Sequence, residues 1–238
     1  MKEIFVYIGT RTGRESNTFK YISEVLNKTF ESVGRENIKV SLYTPHSSKI
    51  NNCQGCLNCF ANGECHQDKN DDMKIIKEKM LSADFVIFAS PVYFHNVSGD
   101  MKIFIDRISY WSHLLRLSGK AGIAIATSCG NGLEVTVNYI HKVMTHMGIK
   151  VVGEFGVIPY NVNEQFSNSI EKCSSIISEY LTSKKIESDN ALELLFKANK
   201  IAIEAQSELD SPEYRYWNES GLIECNTFEE VLSIMNKK

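Results

Sequence analysis

Four of the seven cysteines in this chain of 238 residues lie close together in the sequence. They are Cys53, Cys56, Cys59 and Cys65, in the pattern C-x2-C-x2-C-x5-C. Four thiolates are the ligand set of an iron–sulfur cluster, and zinc also accepts four thiolates. Structural zinc sites usually divide their cysteines into two well-separated pairs, so a compact run favours the larger cluster. Free thiols in a structured loop are the other interpretation, and the spacing alone leaves the two open.

The composition places these cysteines in an ordinary globular chain. Hydrophobic residues make up 43% of the sequence, charged residues 23%, and the formal net charge is −3. This balance excludes the basic surface typical of nucleic-acid binding. No apolar run approaches the ~20 residues that span a bilayer, and the N-terminal MKEIFVYIGT turns polar too early for a signal peptide. We therefore expect a cytoplasmic protein without nucleic-acid or membrane partners, whose cysteines bind metal or do redox work.

Five short apolar strands alternate with helical patterns over residues 1–160. The strands are predicted at residues 4–9, 38–42, 84–90, 121–127 and 151–157. Nearly continuous apolar strands separated by helices indicate a parallel sheet covered on both faces, which is a doubly wound α/β domain. Pro91 is expected to end the third strand, and one helix is predicted from residue 100 to residue 115.

Two regions depart from this alternation. The cysteines fall in an irregular stretch, residues 43–70, and a loop of that length in a compact domain is usually functional or disordered. Residues 161–238 carry only helical patterns, so they are predicted to form a helical extension that caps the active site or makes a dimer contact. The extension holds 14 acidic and 8 basic residues, which leaves residues 1–160 with a net charge of +3.

The loops after the first, third and fourth strands are the expected ligand site, because open α/β sheets bind ligands beyond the carboxyl ends of their strands. Residues 9–18 offer amides, hydroxyls and Arg11 at a helix N-terminus, which suits a phosphate. A capped helix entry is the alternative there. Residues 90–99 and 127–132 supply aromatic rings and glycines that suit a flat ring. Together the three loops suggest a site for flavin mononucleotide (FMN).

Two motifs resemble a known family. The pattern G-T-R-x-x-x-x-S-N-T at residues 9–18, and the segment DDMKIIKEKMLSADFVIFASPVYFHNVSGDMKIFIDR at residues 71–107, resemble flavodoxin-like NAD(P)H-dependent FMN reductases. The cysteine pattern resembles that of the iron–sulfur flavoproteins, a branch of the same group with a [4Fe-4S] cluster next to FMN. The resemblance covers roughly residues 1–160 and implies the flavodoxin-like strand order 2-1-3-4-5.

The resemblance also implies roles for individual residues. The cofactor-binding positions of the first loop would be Thr10, Arg11, Ser16, Asn17 and Thr18, which hold the FMN phosphate. The flavin ring would be flanked by Pro91, Val92, Tyr93 and Phe94, and covered on its other side by Ser128, Gly130 and Gly132. The metal ligands would be Cys53, Cys56, Cys59 and Cys65. Cys129 departs from the family pattern, and Asp106 and Arg107 are expected to form structural ion pairs.

These expectations combine into an oxidoreductase that passes electrons from NAD(P)H through FMN to a second acceptor. The cofactor carries the chemistry, so no catalytic side chain is predicted. A loaded cluster would favour a ferredoxin-like carrier as acceptor, and free thiols a small molecule such as a quinone or nitro compound. The resemblance favours a homodimer or homotetramer. The alternatives are a redox sensor and a non-catalytic flavodoxin-type electron carrier, although simple flavodoxins are strongly acidic and lack the extension.

Overall fold

The structure is a computed structural model that describes residues 1–159 and 164–235. Its strands are Lys2–Ile8 (β1), Ile38–Tyr43 (β2), Phe85–Tyr93 (β3), Asn96–Val97 (β4), Ala121–Thr127 (β5) and Lys150–Val157 (β6). Its helices are Asn17–Val33 (α1), Asn58–Asn62 (α2), Met73–Ser82 (α3), Gly99–Ile108 (α4), Trp111–Leu114 (α5), Leu133–His146 (α6), Glu164–Thr182 (α7), Asn190–Glu204 (α8), Pro212–Ser220 (α9) and Phe228–Met235 (α10). The predicted boundary between residues 160 and 161 lies outside the described residues.

The five long strands form a parallel sheet in the order β2-β1-β3-β5-β6. The two-residue strand β4 pairs antiparallel with the end of β3 and was not predicted. When β4 is left out of the count, this is the flavodoxin-like order 2-1-3-4-5. The predicted fold class is therefore confirmed, with helices on both faces of the sheet.

Two predictions about element ends were wrong. Strand β3 continues through Pro91, which lies opposite Thr127, and ends only at Tyr93. Strand β1 stops opposite Ala89 and β4 pairs only with Val92 and Tyr93, so Pro91 has a strand partner on one side alone, where proline is tolerated. The single helix predicted at 100–115 is interrupted after Ile108. Hydroxyls of serines at 109 and 112 bond backbone carbonyls at this break and compete with the helical pattern.

The two faces of the sheet bury separate apolar clusters. One face packs Ile4, Val6 and Ile8 of β1 under α1 and α7. The other face packs Phe5 and Tyr7 under α3, α4 and α6, where Tyr7 stacks on Phe104 with ring centroids 4.0 Å apart. This alternation along β1 is the period-two pattern of a strand covered on both sides, and it fixes where its loop emerges.

Helices α8, α9 and α10 of the extension form a third apolar cluster. Phe196 and Trp217 stack at its centre with ring centroids 5.5 Å apart. The Trp217 indole N–H donates to the carbonyl of His113, next to the sheet domain, at 2.8 Å. Helix α9 also contacts α2, which carries Cys59. The extension therefore docks beside the cysteine-bearing loop.

Among the helices that the structure describes, none combines the length and apolarity required to cross a membrane.

Candidate functional site

The first loop of the candidate site joins β1 to the N-terminus of α1. Thr10 and Ser16 are buried in it, and the Thr10 hydroxyl bonds that of Thr12 at 3.2 Å. The Ser16 side chain caps α1 by accepting from the Phe19 N–H at 3.5 Å. A 17-residue helix beginning at Asn17 presents unpaired backbone N–H groups and a positive dipole end. The loop thus has the donors of an anion site.

The second loop is the tip of the hairpin between β3 and β4. Tyr93 pairs with Asn96, and the two residues between them, Phe94 and His95, both have positive φ, at 49° and 60°. Such two-residue turns prefer Asn and Gly, so large side chains here carry backbone strain. Phe94 is 99% exposed. Strain of this kind is typical of ligand-binding segments.

The third loop follows β5 and packs closely on the hairpin. A Cβ atom on Gly132 would lie 2.8 Å from Val92 Cγ1 and 2.9 Å from His95 Cα, and its φ is 78°. Only glycine fits this position without displacing the hairpin. The buried hydroxyls of Thr18 and Thr127 are 2.6 Å apart and join the third loop to α1.

The three loops enclose one cavity of about 250 Å³ at the carboxyl edge of the sheet. Eight of the twelve predicted cofactor-binding residues line it: Thr10, Ser16, Asn17, Thr18, Pro91, Val92, Tyr93 and Ser128. It is also lined by residues absent from the predicted set: Thr12, Glu15, Thr127, Cys129 and Pro159. Pro159 follows β6. Its place at the cavity could have been predicted from the sequence, because the parallel strands of such a sheet all end at this edge.

Arg11 lies outside this cavity. Its guanidinium holds the Asp100 carboxylate through Nε at 2.8 Å and Nη2 at 2.8 Å, and its side chain is 76% exposed. The hydrogen bond and charge of Asp100 raise the pKa of Arg11. Arg11 instead lines a neighbouring cavity of about 380 Å³ with His46 and Lys49. Its role at the phosphate stays a prediction, as do those of Phe94, Gly130 and Gly132, which do not line the three-loop cavity.

The cysteine-bearing segment lies on the loop between β2 and α3. Cys53 and Cys56 are exposed, whereas Cys59 and Cys65 are half-buried. The Cys56 sulfur lies 3.6 Å from His66 Nδ1. Burial, together with the nearby Cys65 thiol, raises the pKa of Cys59. The Cys59 thiol therefore favours its neutral form until a cation joins it.

The donor set fits an iron–sulfur cluster in chemistry. Over residues 1–159 and 164–235, no three His, Cys, Asp or Glu side chains converge as the site of a single metal ion. A cluster places each cysteine on a different iron atom, so its ligands need not meet at one point. Four thiols on one loop, half of them accessible to solvent, are the appropriate ligands for such a group.

Comparison with known proteins places the chain in a family. The family described as NADPH-dependent FMN reductase matches residues 4–162, which is more than half of the chain, and the chain belongs to it. The protein is accordingly an NAD(P)H-dependent flavin oxidoreductase.

Individual relatives agree in length and fold. An iron–sulfur flavoprotein of Archaeoglobus fulgidus is 38% identical over 213 residues, covering 87% of this chain and 94% of the relative. One of Clostridioides difficile is 26% identical over 84% of this chain and 93% of the relative. Among solved structures, an NADH:FMN oxidoreductase in its apo form superposes with a TM-score of 0.57 at 19% identity, covering 77% and 92% of the two chains. That structure supports the fold.

Proposed function

We propose that this protein binds FMN in the three-loop cavity, accepts electrons there from NAD(P)H, and passes them to a second acceptor through a cluster on the cysteine loop. The observation that supports the proposal is the convergence of anion-binding, ring-flanking and glycine loops on one cavity. Bound FMN supplies a ring that accepts a hydride and can release electrons singly.

The chain's own residues bind and orient the cofactor. The N–H groups at the start of α1, with the hydroxyls of Thr10 and Ser16, hold the phosphate. The edge of Pro91, Val92 and Tyr93 flanks one side of the ring. The third loop, which Gly132 holds against the hairpin, lies on the other side.

An anaerobic titration with NADH and with NADPH tests the enzymatic proposal. We expect rapid loss of the flavin's visible absorbance with at least one nucleotide. A non-catalytic electron carrier or a redox sensor would not show this rapid loss. Ser16→Ala should weaken FMN binding several-fold, since it removes a donor to the phosphate. Ser23→Ala, about two turns further along α1 with its hydroxyl bonded to the Phe19 carbonyl, is the matched control. Slow bleaching with both nucleotides would sink the proposal.

A [4Fe-4S] cluster on Cys53, Cys56, Cys59 and Cys65 is the second part of the proposal. It is supported by the donor set and by the relatives named iron–sulfur flavoproteins. Protein prepared without oxygen should contain about four iron atoms and four sulfides per chain. Cys56→Ser should lower both, whereas Cys225→Ser, a buried cysteine of the extension, should leave both unchanged. Iron far below one atom per chain with flavin bound would reject the cluster.

We further propose a homodimer or homotetramer with a ferredoxin-like carrier or a small molecule as the electron acceptor. Tyr93 lines the flavin cavity and is exposed, as is its neighbour Phe94. Large exposed apolar side chains that cluster at a rim are typical of an interaction surface. Sedimentation of Phe94→Ser beside the wild type tests this, because loss of assembly is expected and an unchanged size would contradict it.

A further inference from the structure

One buried arginine touches both ends of the cysteine loop. Arg107, in the last turn of α4, has a side chain only 1% exposed. It donates to the carbonyl of Asn51 at 2.8 Å, two residues before the first cysteine of the loop. It also donates to Asp68 at 2.7 Å, three residues after the last one, and it pairs with buried Asp71. A single guanidinium thus spans the entry and exit of the loop.

Further hydrogen bonds tie the same two ends. The side-chain amide of Gln67 donates to the carbonyl of Asn52 at 2.9 Å, and the N–H of Asn51 donates to Asp71 at 2.9 Å. Lys77 of α3 donates to Asp68 at 2.6 Å. The two cations and two carboxylates balance in charge, which is the condition under which buried ionic groups are tolerated. The network therefore adds no net charge to the loop, and its effect is to hold the two ends of the loop in place.

Helix α4 links this network to the flavin cavity. At its N-terminus the Ser98 hydroxyl donates to the carbonyl of Gly9, in the first loop, at 2.5 Å. Asp100 holds Arg11 of the same loop. Arg107 lies nine residues beyond Ser98, about 14 Å along the helix axis. Helix α4 thereby contacts the first loop of the flavin cavity at one end and the cysteine loop at the other.

We propose that Arg107 is a positioning residue that clamps the two ends of the cysteine loop and sets its distance from the flavin cavity. The inference rests on the proposed function only in assigning the loop to electron transfer. Arginine is suited to the task because its planar fork binds two carboxylates and a carbonyl at once, whereas a lysine ammonium cannot match that geometry.

Hydrogen exchange in the flavin-bound protein tests the clamp through Arg107→Lys, with Lys102→Gln as control. Lys102 lies on the same helix in an exposed pair with Asp106. In Arg107→Lys we expect exchange in peptides covering residues 51–70 to rise by about tenfold or more, while peptides from β1, β3 and β5 stay unchanged. FMN affinity should stay within about twofold of the wild type. Unchanged loop exchange, or an equal rise in all peptides, would overturn the proposal.

A second variant covers the case in which Arg107→Lys fails to fold. Asp68→Asn releases the exit end of the loop and keeps the pair between Arg107 and buried Asp71. It should raise hydrogen exchange in the same peptides, and unchanged exchange there would overturn the proposal. With reconstituted cluster, both variants should lose iron to a chelator several-fold faster than Lys102→Gln while retaining flavin. If even the wild type binds no iron, the cluster fails and the exchange measurement still decides the clamp.

Discussion

The flavin cavity and the cysteine loop meet through α4 but are held in place by different forces. The cavity is formed by strand ends joined by backbone hydrogen bonds, such as Gly9 N–H to the Ala89 carbonyl at 2.9 Å and Ser128 N–H to the Val157 carbonyl at 3.0 Å. The cysteine loop is held by side chains around Arg107. The cavity therefore exists once the sheet folds, whereas the loop depends on a few buried polar groups.

The largest expected effect is the loss of Asp71. Its side chain is fully buried, and hydrogen bonds from Arg107 and from the N–H groups of Asn51 and Met73 outweigh burial and hold its pKa below the usual range. Asp71→Ala leaves a buried guanidinium short of a counter-charge, so the free energy of unfolding should fall by about 3–5 kcal/mol. Asp106→Asn, which removes only an exposed pair, should cost less than about 1 kcal/mol in the same urea titration. Equal losses would show that the loop is not held by this network.

The next effect falls on the flavin cavity. Gly132→Ala should push the third loop away from Val92 and His95, because the added methyl group has no room between them. Overpacking of this kind costs about 1–3 kcal/mol, so the FMN dissociation constant should rise by about tenfold. Gly99→Ala is the control, since a Cβ there meets open space on a helix. If both variants bind FMN like the wild type, the packing of loop on hairpin is not needed for the site.

A smaller effect is predicted at the strained hairpin. Replacing Phe94 by Asn and His95 by Gly supplies the residues that tolerate positive φ, so the melting temperature should rise by an amount equivalent to about 1 kcal/mol. The same double variant should lower the rate of reduction by NAD(P)H. A stabilised protein with unchanged kinetics would assign the strain no functional role.

The smallest effect is a pH dependence in the docking of the extension. His113 and Glu213 form an ion pair at 2.8 Å between the sheet domain and α9. The Glu213 carboxylate accepts a hydrogen bond from the His113 ring, and this bond raises the pKa of His113 above 6.5. Burial opposes the ionised form of Glu213, but hydrogen bonds from His113 and Gln206 keep its pKa below 4.5.

The raised pKa of His113 and the lowered pKa of Glu213 determine how the stability of the pair changes with pH. The histidine contribution is complete below pH 6.5 and is lost as the pH rises through its raised pKa, while the glutamate contribution is lost only at acid pH. The stability difference between wild type and Glu213→Gln should therefore shrink as the pH rises above 6.5 through the raised pKa of His113, and should stay below about 1 kcal/mol. A constant difference would contradict the pair.

The sequence predicted the fold and most of the flavin cavity because both follow from local patterns. Apolar strands alternating with helices determine a parallel sheet, and the loops after the strands must then share one edge. The expectation that Arg107 forms structural ion pairs is also confirmed. Its partners could not be identified from the sequence, because Asn51, Asp68 and Asp71 lie 36 to 56 residues away. The periodic patterns of helices and strands do not predict contacts at such separations. Arg11 illustrates the same limit, since Asp100 draws its side chain out of the cavity.

Reduction of the bound flavin by NAD(P)H without oxygen tests the central claim most directly. Wild-type protein mixed with NADH or NADPH should lose its flavin absorbance rapidly with one of them, and Gly132→Ala should do so only at higher FMN concentration. Because the cavity is the proposed site of both binding and reduction, the two properties should change together. Flavin that binds tightly but is not reduced by either nucleotide would contradict the account.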